Sequence, residues 1–68
     1  MHTEIWESDA FSPRKVKLLA TFDTDYRFER QDEITIEADG QRQRVRIIGV
    51  RLYLNDHTLR REILALPV

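Results

Sequence analysis

The sequence predicts an all-β domain, a small antiparallel barrel or sandwich of five to six short strands. Three observations predict it. Apolar residues recur at every second position: Val16, Leu18, Ala20 and Phe22; Ile34 and Ile36; Val45 and Ile47; Val50, Leu52 and Leu54. Asp39-Gly40 lies between two such runs, and both residues tolerate the positive φ of a type I′ hairpin turn. Turn formers separate the other runs at short intervals, which leaves little room for a helix.

In chain order, residues 2–6 form a first short strand. Residues 7–13 form a loop, because Ser8, Asp9 and Ser12 are turn formers and Ser12 precedes a proline. Residues 15–22 alternate with one apolar face made by Val16, Leu18, Ala20 and Phe22. Asp23-Thr24-Asp25 is a turn. Tyr26 and Phe28 alternate with Arg27 and Glu29 as a short strand or an extended arm. Residues 33–38 and 41–47 are the arms of the Asp39-Gly40 hairpin. From residue 43 to 54 the alternation continues but changes parity around Ile48-Gly49, the signature of a bulge or sharp bend. A side chain at Gly49 is then expected to cost stability. Residues 55–58 turn the chain again. The tail, residues 59–68, is a strand with Leu54 opposite Leu59, Arg51 opposite Glu62 and Val50 opposite Ile63. Its competitor is a C-terminal helix, since Leu59, Ile63 and Leu66 also match helical spacing. A bent long strand in so short a chain suggests closure into an SH3-like barrel, with an OB-like barrel as the alternative.

Sixty-eight residues make a single domain, residues 1–68, near the lower size at which one core holds unaided. There is no cysteine, which excludes disulfides and thiolate metal sites and fits a reducing compartment. No stretch reaches the length of a membrane span, and the acidic, mixed residues 1–9 do not resemble a secretory signal. The expected setting is cytoplasmic. Net charge is −1, but residues 1–39 hold ten acids and five bases, while residues 40–68 hold two acids and six arginines.

Three of those arginines, Arg42, Arg44 and Arg46, occupy alternate positions after the turn and could be a phosphate-binding stripe. With Asp39-Gly40 as a two-residue turn, Ala38 faces Gln41, Glu37 faces Arg42, Thr35 faces Arg44 and Glu33 faces Arg46, while Ile34 and Val45 meet on the other face. Two of the three arginines therefore meet a glutamate, and Arg44 is left with spare charge. Nucleic-acid binding calls for a basic domain with aromatics interleaved on the same face. This chain is slightly acidic, and no aromatic interleaves with the stripe.

Nothing converges on catalysis. Ser8 and Ser12 lack a nucleophile-elbow pattern. Two glycines cannot build a phosphate-cradling loop. His57 sits in a turn and His2 is remote in sequence, so no metal site is defined. Asp23-Thr24-Asp25 lacks the glycine and closing glutamate of a calcium loop. No catalytic, cofactor or metal residue is assigned. The candidates for partner binding are Trp6, Tyr26, Phe28, Arg44 and Tyr53. Tyr26-Arg27-Phe28 leads into the hairpin, while Trp6 and Phe11 flank the first loop, placed to cap an open barrel end or insert into a partner.

The stretch RQDEITIEADG followed by RVRIIGV resembles the hairpin of many small SH3-like barrels: polar, Asp, then alternating hydrophobics, Asp-Gly, and a returning apolar strand. It is similar to that hairpin in phage head–tail connector and tail-assembly proteins, where glycine usually precedes the first Asp; here Gln31 takes that place. The resemblance covers about 40 residues and implies a non-catalytic adaptor or assembly module. The expected function is therefore protein binding without catalysis, with a homo-oligomer as a further possibility. The alternatives are a nucleic-acid-binding barrel and an inhibitor of a larger enzyme.

Overall fold

A computed structural model describes residues 1–68 as five strands and no helix: β1 (His2–Ser8), β2 (Lys15–Asp23), β3 (Glu33–Ala38), β4 (Gln41–Asn55) and β5 (Thr58–Pro67). They form one sheet in the order β2-β1-β5-β4-β3, curled into a half-barrel. Three pairs are antiparallel, but β1 and β5 run parallel. The sheet is thus mixed, where the sequence suggested a wholly antiparallel one. The parallel pair arises because β5 inserts between β1 and β4, and nothing local in the sequence encodes that insertion.

The β3–β4 hairpin has the expected register, from Ala38 opposite Gln41 to Glu33 opposite Arg46. Asp39 and Gly40 take φ values of 53° and 75°, the left-handed pair that a type I′ turn demands. The β4–β5 register also matches, with Leu54 opposite Leu59, Arg51 opposite Glu62 and Val50 opposite Ile63. Its turn uses Asp56 and His57, at φ 46° and 68°. The C-terminal helix is not present. Five consecutive residues of β5, Arg61 to Ala65, are buried, because this central strand is covered on both faces. Such a strand loses its alternation, and that loss produced the false helical spacing.

The inner face carries the core: Ile5, Val45, Ile47, Ile63 and Ala65, with Leu19, Ala20, Phe28, Ile34 and Ile36 packed against it. Bulges curl the sheet around these residues. In β4 the extra residue is Ile48, between Ile47 and Gly49. In β2 there are two: Ile5 faces Ala20 while Trp6 faces Leu18, leaving Leu19 unpaired, and Val16 is skipped between Lys17 and Lys15. The single apolar face expected for β2 is therefore broken. Leu19 turns to the core, while Val16 and Leu18 are exposed. No glycine marks the two bulges of β2, so the sequence hides them.

Residues 24–32 form an arm without strand assignment, which starts where Thr24 N–H donates to Met1 O at 3.1 Å and packs Phe28 against the core, so Tyr26 and Phe28 belong to an extended arm and not to a short strand. The arm rejoins the sheet through Gln31 N–H to Ile47 O at 2.9 Å and Ile47 N–H to Asp32 O at 2.8 Å. Gln31 has φ 78°, a left-handed backbone that costs a non-glycine residue about 1–2 kcal/mol. Gly49, in contrast, has an ordinary φ, and a Cβ there would meet nothing within 4 Å. The bulge exists, but it does not need a glycine. Gly49→Val is therefore expected to leave the melting temperature unchanged or slightly higher, contrary to the expectation from sequence. Gln31→Gly should raise it by relieving the left-handed strain, less the extra chain entropy of glycine. Ile47→Ala, in the core, should cost about 2–5 kcal/mol. Calorimetric melts of the three variants check all of this.

Candidate functional site

The arm defines a groove. Tyr26 and Phe28 form its aromatic wall, and Asp32, Glu33, Ile34 and Thr35 at the start of β3 form the other side, enclosing a shallow volume of about 490 Å³. The wall is built edge to face: Tyr26 lies 4.8 Å from Phe28 and Phe28 lies 6.3 Å from Phe22, at interplanar angles of 64° and 78°. Local hydrogen bonds hold it. Tyr26 N–H donates to Thr24 Oγ1 at 3.1 Å, and Glu29 N–H donates to Asp32 Oδ2 at 3.0 Å.

Arg61 anchors the arm from beneath. It is only 6% exposed, and no carboxylate pairs with it. Its Nε donates to Thr3 Oγ1 at 2.8 Å and a terminal nitrogen donates to Thr24 O at 3.2 Å. Its guanidinium lies 4.9 Å from the centre of the Phe28 ring. A buried charge must be compensated, and here a hydroxyl, a carbonyl and an aromatic face do it. One residue thus ties β5 to β1 and to the groove wall.

The five residues expected to bind partners do not converge. Tyr26, exposed, and Phe28, half-buried, share the groove. Trp6 and Tyr53 lie on the outer face of the sheet. Trp6 Nε1 donates to Glu4 Oε1 at 2.9 Å, and Lys15 Nζ sits 4.8 Å from its ring centre. Trp6 is also the cross-strand neighbour of the buried Leu64, so it covers the sheet and does not cap an open end. Tyr53 lies under Arg60, 4.4 Å away. Arg44 is exposed opposite Thr35, but its charge is not spare: it reaches Glu33 Oε2 diagonally at 3.5 Å. Glu33 also takes Arg46 at 2.8 Å, and Glu37 takes Arg42 at 3.2 Å. Each arginine of the stripe has a carboxylate, although exposed pairs of this kind contribute only about 0–1 kcal/mol each.

Between Trp6 and Tyr53 lies a charge cluster that sequence reasoning missed. Glu62 is almost fully buried on the outer face. Its Oε2 accepts from Arg60 at 2.8 Å and from Lys15 at 3.1 Å, while Oε1 is buried and accepts no hydrogen bond. Burial alone pushes this carboxyl up, but the hydrogen bonds from Arg60 and Lys15 outweigh it and hold the group below the usual glutamate range. The adjacent Arg61-Glu62 pair was the available signal. In a strand, neighbours point to opposite faces, so a central position must bury one charge on each side. The loop before β2 is compact as well. Asp9 accepts from Phe11 N–H at 2.8 Å and from Arg14 at 3.1 Å, and Phe11 stands 99% exposed at its tip.

No three of the His, Asp and Glu side chains gather where they could hold a metal ion. No protein family, curated protein or solved structure matches the chain. No helix is long and apolar enough to cross a membrane.

The Glu62 cluster gives the fold an acid limit. A carboxyl whose folded pKa lies below its unfolded value stabilises the fold above the unfolded value, and that contribution is lost as pH falls through the folded value. The melting temperature should hold from neutrality to about pH 5 and decline below it. Glu62→Gln should lower the melting temperature at pH 7 and make the acid decline shallower. Glu4 and Asp9, also held low, keep part of that decline. Melts from pH 3 to 8 on both proteins check it; equal slopes on the acid side would refute the role of Glu62.

Proposed function

We propose that this chain is a non-enzymatic protein-binding module, an adaptor or assembly piece, whose groove takes an extended segment of another protein. The observation that carries the reading is the Tyr26–Phe28 wall, locked by Arg61 and facing the start of β3, with Ile34 in the groove lining. Aromatic anchors in a preformed groove are a common mode of peptide recognition. They cost little to order on binding, because the arm is already tied to Thr24, Asp32 and Ile47. Asp32 and Glu33 on the other side of the groove favour a segment carrying positive charge.

Two features support the assembly version and an SH3-like ancestry for the half-barrel. One is the resemblance of the hairpin to those of phage head–tail connector and tail-assembly proteins. The other is Gln31, which occupies the position usually held by glycine there and keeps the left-handed φ that glycine adopts freely.

The nucleic-acid reading requires arginines free for phosphates, and the stripe shares its charge with Glu33 and Glu37. Phosphate binding releases counterions and weakens steeply with salt, whereas an aromatic anchor responds much less. Tyr26→Ala is expected to weaken partner binding by about 2 kcal/mol, roughly 30-fold. Arg44→Ala should change it little. Trp6→Ala should act through stability, because Trp6 lies away from the groove. Quantitative pull-downs at low and physiological salt, with mobility shifts on random DNA and RNA, check the set. Salt-sensitive nucleic-acid binding abolished by Arg44→Ala would replace the protein-binding reading.

A further inference from the structure

The longest strand is only half covered. β3 pairs with β4 from Gln41 to Arg46, and the arm adds Ile47. Beyond the bulge, β4 runs on to Asn55 with β5 on one side and no strand on the other. The closing pair of the turn, Asn55 opposite Thr58, fixes which backbone groups are free. In a two-residue hairpin the closing pair is hydrogen-bonded, and the pattern then alternates. The N–H and C=O groups of Asn55, Tyr53 and Arg51 therefore point to β5, while those of Leu54, Leu52 and Val50 point away from it. The side chains of the same three residues lie on the inner face and are exposed by 71%, 61% and 36%, with Leu59 beside them at 40%. Unpaired backbone and unpaired apolar surface coincide on one edge.

The other two edges are defended. β2 carries Lys15 and Lys17 and two bulges. β3 is six residues long and flanked by Glu33 and Glu37. Charges, bulges and shortness discourage edge pairing. The open β4 edge, residues 49–55, has a single charge, Arg51.

We infer that this edge joins a second copy of the same chain, antiparallel and two-fold symmetric about Leu52. The register is self-complementary. On the inner face Val50 meets Leu54 of the second copy and Leu52 meets its equivalent. On the outer face Arg51 meets Tyr53 of the second copy, so no like charges oppose. Neighbouring in-phase registers fail. A two-fold at Arg51 sets two arginines directly opposite each other, and one at Tyr53 carries Val50 onto Asp56 of the turn. A two-fold at Val50 drives the second copy into the segment already occupied by Asp32, and one at Leu54 runs off into the Asp56-His57 turn. Leu52 is the midpoint of the open edge and the centre that uses all of it. The product is a continuous ten-stranded sheet with eight apolar side chains gathered at the joint. The joint is confined to residues 49–55 and Leu59 of each copy, small beside the interfaces of about 1,000 Å² and more that hold stable complexes, so the dimer is expected to be weak, with dissociation in roughly the micromolar range.

Sedimentation of the full chain from about 1 to 500 μM, spanning that range, should show a rise from the 8.1 kDa monomer towards twice that mass. Leu52→Glu sets two glutamates against each other at the two-fold and should hold the protein monomeric throughout, with its melting temperature kept because Leu52 is exposed and its cross-strand partner on the same face, Arg61, has the opposite charge. Amide exchange reads the register directly. Protection at Val50, Leu52 and Leu54 should grow with concentration, while Arg51 and Tyr53 stay protected at every concentration. The native chain has no cysteine, so Leu52→Cys should give a disulfide-linked dimer on mild oxidation, and Thr35→Cys should not. A monomer across the whole range overturns the inference. So does a dimer indifferent to Leu52→Glu, or one whose edge amides exchange as fast as in the monomer.

Discussion

Arg61 is the residue around which the rest of the molecule is arranged. It is charged, it lies in the central strand, and it points into the apolar side of the sheet without an acid to meet it. Such a charge is tolerated only where every polar contact is supplied. Thr3 supplies one from β1, and Thr24 supplies another from the start of the arm. Phe28 lays its ring over the guanidinium. The parallel alignment of β1 with β5 and the path of the arm are both fixed at this point. The aromatic wall of the groove is a by-product of keeping one arginine satisfied.

Much of the fold was legible because it is local. The Asp39-Gly40 turn dictates its register, and the alternation on either side says which face is buried. The parity change at Gly49 was visible as a break in a period of two. The β4–β5 pairing followed from counting back from a turn at residues 55–58. What escaped was non-local or unmarked. The parallel β1–β5 pair has no sequence signal. The bulges at Leu19 and Val16 have no glycine, so their strand looked regular. The helical spacing of the tail was a coincidence of double-sided burial. Of the site, Tyr26 and Phe28 could be read from their position before the hairpin. Trp6 and Tyr53 share only their residue class with them and serve the opposite face.

Charge in this small domain is spent on structure more than on display. Glu33 bridges two arginines of the stripe, the buried Glu62 holds Lys15 and Arg60 over it on the outer face, and Asp9 folds its own loop. A domain of this length has little apolar core to rely on. Hydrogen-bonded charges on the second face of the sheet let the central strand be covered from both sides without a second hydrophobic layer. They also leave aromatic and aliphatic side chains, not basic ones, as the groups that project: Phe11 and Tyr26 from loop and arm, Leu52 and Leu54 from the far hairpin.

The position of β5 has a consequence for how the chain comes together. β1 with β2 and β3 with β4 are two separate hairpins, and no ladder joins one to the other. Only β5, the last strand in the chain, lies between them, parallel to the first half and antiparallel to the second. During synthesis both hairpins emerge before the strand that welds them, and a lone hairpin is marginal in water. The nascent chain therefore carries these apolar faces uncovered until residues 58–67 have left the ribosome. Assembly is then a concerted closure that couples residues 2–7 to residues 60–65. That ordering makes the domain slow to fold for its length and places its vulnerability to misassembly before closure, not after it.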